Sequence, residues 1–250
     1  MTERKKAAMT PFQRSLNSSG GAFGKYRRLA ADSMGFLDFC LFEAFNILFS
    51  NTYGALGLAA RQLVLRYFFA RCERGSAFGR GLTIRNPSRI ELERGVIVDD
   101  YAVLDARGAQ ESQIFLSEGV CIGRSSIIAA KGRTARIYLE AACNVGSNCR
   151  IATEGKLRIG ESSLIAAYAY IGPGNHEIES TDIPIVEQGM KEARGVSIGA
   201  NTWIGARATI MDGVSIGDNA IIGAHALVRE DIPANAIAAG IPAKVLRYRK

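Results

Sequence analysis

Histidine is scarce in this chain: its 250 residues hold only His176 and His225, beside one tryptophan and six prolines. Two histidines are too few for a three-histidine zinc centre. The five cysteines are odd in number and form no CxxC pair, which argues against both a disulfide framework and a zinc ribbon. No run of about 20 apolar residues is present to span a bilayer. There is no P-loop, no GxSxG elbow and no basic stripe studded with aromatics, so nucleotide hydrolysis, a serine hydrolase and a nucleic-acid partner all lack support. The charged start, Met1 to Lys6, is followed by no secretory apolar segment. The expected home is a reducing cytoplasm, with no metal cofactor.

What is abundant is glycine, 27 residues, together with a 48% hydrophobic content and a net charge of +7. Many tight corners and an affinity for anionic partners follow from that balance. The chain divides into three zones. Residues 1–33 carry seven basic side chains, among them Arg14, Lys25 and Arg28, against Glu3 and Asp32, and read as a mobile basic arm. Residues 34–75 are an apolar extension in which Asp38, Glu43, Arg61 and Arg66 interrupt two dense stretches. They read as two short helices lying on a surface through 34–72. That surface is the inner face of the membrane, the side of the main domain or a partner subunit.

From 80 to 250 a six-residue period takes over. Aliphatic residues recur in threes, from Leu92, Val98 and Leu104 to Ile198, Ile204 and Ile210, then Ile216, Ile222 and Val228. The pattern predicts a solenoid of about six coils, each of three short strands with one inward aliphatic apiece. A small residue at the fifth position of each hexad suits a crowded corner. Cys143 and Cys149 occupy such positions and are expected to be buried and inert.

The array breaks once. Ile198 and Ile216 are 18 residues apart and Leu139 and Ile159 are 20, but Ile159 and Ile198 are 39 apart. All surplus residues leave after the third strand of a coil, at one corner. The largest protrusion, roughly 173–195, opens with Pro173-Gly174-Asn175-His176, and a long loop on a regular array is usually functional. His176 at its root is the candidate catalytic residue, although position alone leaves an ordinary surface histidine equally open. His225 falls at an outward hexad position and reads as structural.

The stretch Val196 to Arg247, with NTWIGA at 201–206, REDIPANAIAAGIPAKVLR at 229–247 and GNH at 174–176, resembles the hexapeptide-repeat acyltransferase superfamily, in its sugar O-acetyltransferase branch of maltose, galactoside and polysaccharide-modifying enzymes. The resemblance implies an all-β, left-handed parallel β-helix, preceded here by an α-helical extension. It also implies a homotrimer with acetyl-CoA as co-substrate and active sites between neighbouring prisms. His176 would take the proton of an acceptor hydroxyl as its oxygen attacks the thioester. Trp203, Ala206, Ala224, Arg229, Lys244 and Arg247 would contact the donor, the last two through its phosphates. A backbone N–H at a neighbouring coil corner is the expected oxyanion donor.

For the acceptor, Glu154 lies one coil before His176 at the same corner, with Asn175, Asp182 and Glu187 as rivals. The apolar extension, foreign to the small-sugar enzymes, points to a sugar in a polysaccharide or glycolipid precursor. Two other readings stand beside acetyl transfer to a sugar hydroxyl. One is a longer acyl or acyl-carrier-protein donor, or an amine acceptor. The other is a non-catalytic β-helix scaffold.

Overall fold

The computed structural model describes residues 21–250 apart from 33, 109–112, 133 and 173. The repeat coils into a left-handed parallel β-helix whose strands stack in three sheets. Sheet A begins with Arg71–Cys72 and ends with Ser215–Ile216; sheet B runs from Ala77–Phe78 to Ile221–Ile222 and beyond; sheet C runs from Thr83–Arg85 to Leu227–Val228. The register carries each inward residue onto its equivalent in the next coil, for example Val145 on Ile165, Ile165 on Ile204 and Ile204 on Ile222. These side chains are buried almost completely. Each contributes about 1.5–3 kcal/mol of transfer free energy, which is why a period of six with one aliphatic is enough.

The coils number seven, not six, and the β-helix begins at Arg71 and not at 80. The first coil pairs Cys72 with Leu92, Phe78 with Val98 and Ile84 with Leu104. A cysteine and a phenylalanine in two of its three inward positions hide the aliphatic period there. Phe78 is tolerated because this end of the prism is capped by other aromatics; its ring stacks on Phe69 with centroids 5.5 Å apart.

Corner geometry recurs at the fourth residue of each hexad. Tyr101, Ser125, Asn148, Tyr168, Arg207 and His225 all have positive φ at the corner between sheets B and C. The fifth residues turn inward: Ser163, Thr202, Ala208 and Cys149 are almost fully buried. The hydroxyls among them are satisfied by backbone, as where Ser163 Oγ donates to the Gly199 carbonyl at 2.9 Å. Burial drives the Cys143 thiol up to about 12, consistent with an inert packing residue.

Three helices close the first coil: α1 (Ala22–Ala31), α2 (Phe36–Phe49) and α3 (Gly54–Val64). The end of the basic arm is therefore ordered helix, with Ala30 and Ala31 buried. Three links hold it to the first coil: Asn86 N–H donates to the Ala30 carbonyl at 2.8 Å, Asp32 N–H donates to Asn86 Oδ1 at 2.7 Å, and Arg89 pairs with Asp32 at 3.0 Å. Residues 1–20 of the arm lie outside the described residues. Helices α2 and α3 are the two expected from the apolar extension. They bury Phe39, Phe42 and Phe45 against the prism. Arg61 points inward, its guanidinium donating to the carbonyls of Phe78, Phe49 and Thr52. Burial lowers its pKa. No helix among the described residues is long and apolar enough to cross a membrane.

After the seventh coil the chain lays Ala236–Gly240 on sheet B and returns antiparallel as Ala243–Tyr248, the outermost strand of that sheet.

Candidate active site

Residues 172–195 join sheet C of the fifth coil to sheet A of the sixth, so the loop leaves at the C–A corner. Its two ends are clamped. Gly172 N–H donates to the Ile210 carbonyl at 3.0 Å, and the backbone N–H groups of Arg194 and Gly195 both reach the Asp212 carboxylate at 2.8 Å. Gly172 has a φ of +75°, and a Cβ there would stand 2.4 Å from the Ala152 carbonyl oxygen, so the loop can depart only from a glycine. Between the clamps, the Gln188 amide donates to the carbonyls of Ser180 and Ile183 at 2.7 Å, folding the loop on itself.

His176 sits where the two arms of the loop meet. It bridges antiparallel to Met190, and Lys191 N–H donates to the Asn175 carbonyl at 2.8 Å. Nδ1 of His176 lies 3.2 Å from the Gly189 carbonyl oxygen. A carbonyl can only accept, so Nδ1 carries the proton in this contact and the neutral ring keeps its lone pair on Nε2. The side chain is exposed at the loop root, so an oriented, solvent-facing basic nitrogen results.

The residues assigned to the donor lie elsewhere on the prism. Trp203 is on a strand of sheet B with half its surface exposed. Ala206 and Ala224 occupy the B–C corner in successive coils, linked where His225 N–H donates to the Ala206 carbonyl at 2.8 Å. Lys244 and Arg247 stand on the outermost strand of sheet B, exposed; Lys244 meets Glu230 at 3.5 Å. Arg229 stands apart from these five, just past the last strand of sheet C on the C–A side. Within one chain, then, those five residues and His176 occupy different corners with sheet C between them, while Arg229 lies on the loop's own side. The loop also leaves Ile178, Ile183 and Ile185 exposed.

Of the acceptor candidates, Glu154 lines a cleft of about 230 Å³ beneath the loop, together with Lys131, Arg150, Tyr170, Gly174 and Met190. Asn175, Asp182 and Glu187 do not line it; Asp182 and Glu187 lie farther out along the loop. The partner of the His176 ring escapes sequence reasoning because it is a backbone carbonyl 13 residues away, which no residue type announces. Arg150 and Lys131 were equally hidden, since outward positions of a coil tolerate any polar residue.

The fold defines a class, the left-handed β-helix proteins, and the loop histidine narrows it. Residues 195–230 match the family described as bacterial transferase hexapeptide (six repeats). A probable acetyltransferase of Mycobacterium tuberculosis is 30% identical over 181 residues, covering 71% of this chain and 51% of that protein. The chain thus spans about half the length of that relative. The galactoside O-acetyltransferase of Escherichia coli is 28% identical over 162 residues, 65% of this chain and 71% of that enzyme. An N-acyltransferase from Bacillus cereus, solved with dTDP and coenzyme A, has a TM-score of 0.52 at 18% identity, covering 80% of this chain and 92% of that one, a likeness of fold. Residues 195–230 thus carry the repeat of the bacterial transferase hexapeptide family, and acetyltransferases, a galactoside O-acetyltransferase among them, are the proteins to which the chain is similar.

Proposed function

We propose that this chain is an acyl-CoA-dependent O-acetyltransferase acting on a hydroxyl of a sugar within a polysaccharide or glycolipid precursor. The observation that carries the reading is the Nδ1 contact of His176 with the Gly189 carbonyl, which leaves Nε2 free to accept a proton. Nε2 takes the acceptor hydroxyl proton as the oxygen attacks the thioester carbonyl carbon. When the tetrahedral intermediate collapses, the C–S bond breaks and the imidazolium returns the proton to the departing thiolate. The products are the acetyl ester, free CoA thiol and neutral His176.

The donor would lie along sheet B. Small side chains at Ala206 and Ala224 allow an extended arm to approach the coil backbone, Trp203 supplies a flat wall, and Lys244 and Arg247 face its phosphates. Because those residues and His176 lie at different corners, a complete site needs two chains, and a closed three-fold ring pairs the C–A corner of each with the B–C corner of the next. Such a ring would also cover the exposed isoleucines of the loop. The outer face of α2 and α3 we assign to the surface of a membrane, where its exposed leucines and phenylalanines would lie at the headgroup boundary.

The decisive experiment follows CoA thiol release from acetyl-CoA with a panel of sugar acceptors. Acceptor-dependent release is expected, falling about 10²- to 10⁴-fold in His176→Ala while acetyl-CoA binding persists. A His176→Ala protein as active as the wild type would remove His176 as the base, and a wild type that binds no acetyl-CoA would leave only a scaffold.

A further inference from the structure

Beneath the loop, the outward residues of sheet C shrink to Ala129, Ala152 and Gly172 in three successive coils, and they floor the 230 Å³ cleft. One wall is Arg150 beside Tyr170; the other carries Lys131, Glu154 and Met190. Met190 is also the bridge partner of His176, so the cleft runs up to the strand pair that holds the base.

The charges of this cleft are not used up by the fold. The Arg150 guanidinium makes no hydrogen bond or ion pair among the described residues, and its aromatic contact is the Tyr170 ring, 6.0 Å from centroid to Cζ. Lys131 reaches Asp105 at 3.5 Å, but that buried carboxylate is already held by Arg107 through Nε and Nη2, both at 2.8 Å. The cleft lining itself therefore carries two cations, Arg150 and Lys131, against one carboxylate, Glu154, while Arg107 and Asp105 form their own pair beside it. A planar guanidinium and a flexible ammonium on opposite walls suit the tetrahedral oxygens of a phosphate ester, while Glu154 can only accept hydrogen bonds, as a sugar hydroxyl would provide.

We propose that this cleft is an acceptor site for a phosphorylated sugar, with Arg150 and Lys131 binding its phosphate or diphosphate and Glu154 a neighbouring hydroxyl. The inference rests on the acetyltransferase reading above. Its chemistry is shared by a nucleotide sugar and a prenyl diphosphate sugar, and the test separates them.

The test compares one hexose in four forms: free, as its 1-phosphate, as its uridine diphosphate ester and as a short prenyl diphosphate ester. Each is offered with acetyl-CoA to the full chain and to Arg150→Ala, Arg150→Lys and Lys131→Ala. At least one phosphorylated form should have a kcat/KM roughly tenfold or more above the free sugar, mainly through KM. The ratio should fall toward one in Arg150→Ala, recover in part in Arg150→Lys, and shrink with salt. KM for acetyl-CoA and the melting temperature should hold, which excludes misfolding as the cause. The preferred ester names the source. Equal kcat/KM for free and phosphorylated forms, or a preference that both alanine variants retain, overturns the proposal. If no form is turned over, calorimetry with the hexose 1-phosphate decides: binding that Arg150→Ala abolishes supports it, and no binding overturns it. Failure of the wild type to bind acetyl-CoA would instead overturn the reading beneath.

Discussion

At the scale of single residues, the molecule separates an exposed, oriented imidazole from groups that only pack. His176 is exposed and oriented by one carbonyl, whereas Cys143 is sealed in a corner with its thiol pushed up to about 12. An unfolded thiol ionises near pH 8.5, so above that pH the unfolded chain releases a proton that the folded one retains. Stability is therefore lost as pH rises from about 9 to 12, by up to about 1.4 kcal/mol per pH unit from this residue. Urea denaturation at a series of pH values should show a steeper decline for the wild type than for Cys143→Ala. Parallel curves would mean the thiol is not sealed. The role of Cys143 could be read from its place in the hexad, because corner volume depends only on local period. The partner of His176 could not, because it is set by the return of the chain through Gly189.

At the scale of elements, two side chains hold segments that have little core of their own. Gln188 folds the loop by bonding Ser180 and Ile183. Gln188→Ala should cost little global stability, since the coils do not depend on it, but lower kcat/KM by roughly tenfold through misplacement of the base. Kinetics read beside a melting curve check this, and a matched loss of both would mean that the loop is part of the folding core. Arg61 satisfies three backbone carbonyls where α3 meets the first coil. Arg61→Met should destabilise the protein by about 3 kcal/mol, since the carbonyls lose their donor; a loss of unfolding free energy under about 1 kcal/mol in guanidinium denaturation would contradict that. The period made the later coils readable and failed at the first, where Cys72 and Phe78 replace aliphatics and only the packed helices make a phenylalanine fit.

At the scale of the whole molecule, the proposed function rests on two surfaces of one chain, the loop corner and the outer face of the helical cap. If, as proposed, the loop corner and the B–C corner each hold part of one site, sedimentation equilibrium should give three times the 26.9 kDa chain mass. A monomer at working concentrations would remove the argument for a shared site. The cap exposes Leu37, Leu48 and Leu56, each more than 60% accessible. Large apolar side chains left exposed in this number on one cap are the raw material of an interaction site. Cosedimentation with vesicles containing phosphatidylglycerol should retain the wild type and lose Leu37→Asp/Leu48→Asp/Leu56→Asp. If that triple variant stays bound, the face is not a membrane dock.

The linear chain by itself determined the coil. Each hexad specifies its own strand, inward residue and corner, so its physics is local and repeats wherever the pattern does. It also determined where the coil breaks and which histidine stands there. Tertiary structure decided what no local pattern contains. The count of seven coils depends on helices that pack over the first one. The proton-bearing nitrogen of His176 depends on a carbonyl brought back by the loop, and the pairing of Arg150 with Lys131 across a cleft depends on stacking residues 19 apart in sequence onto neighbouring coils. Such groups meet because the backbone closes a turn of the prism, and that distance exists only once the chain has folded.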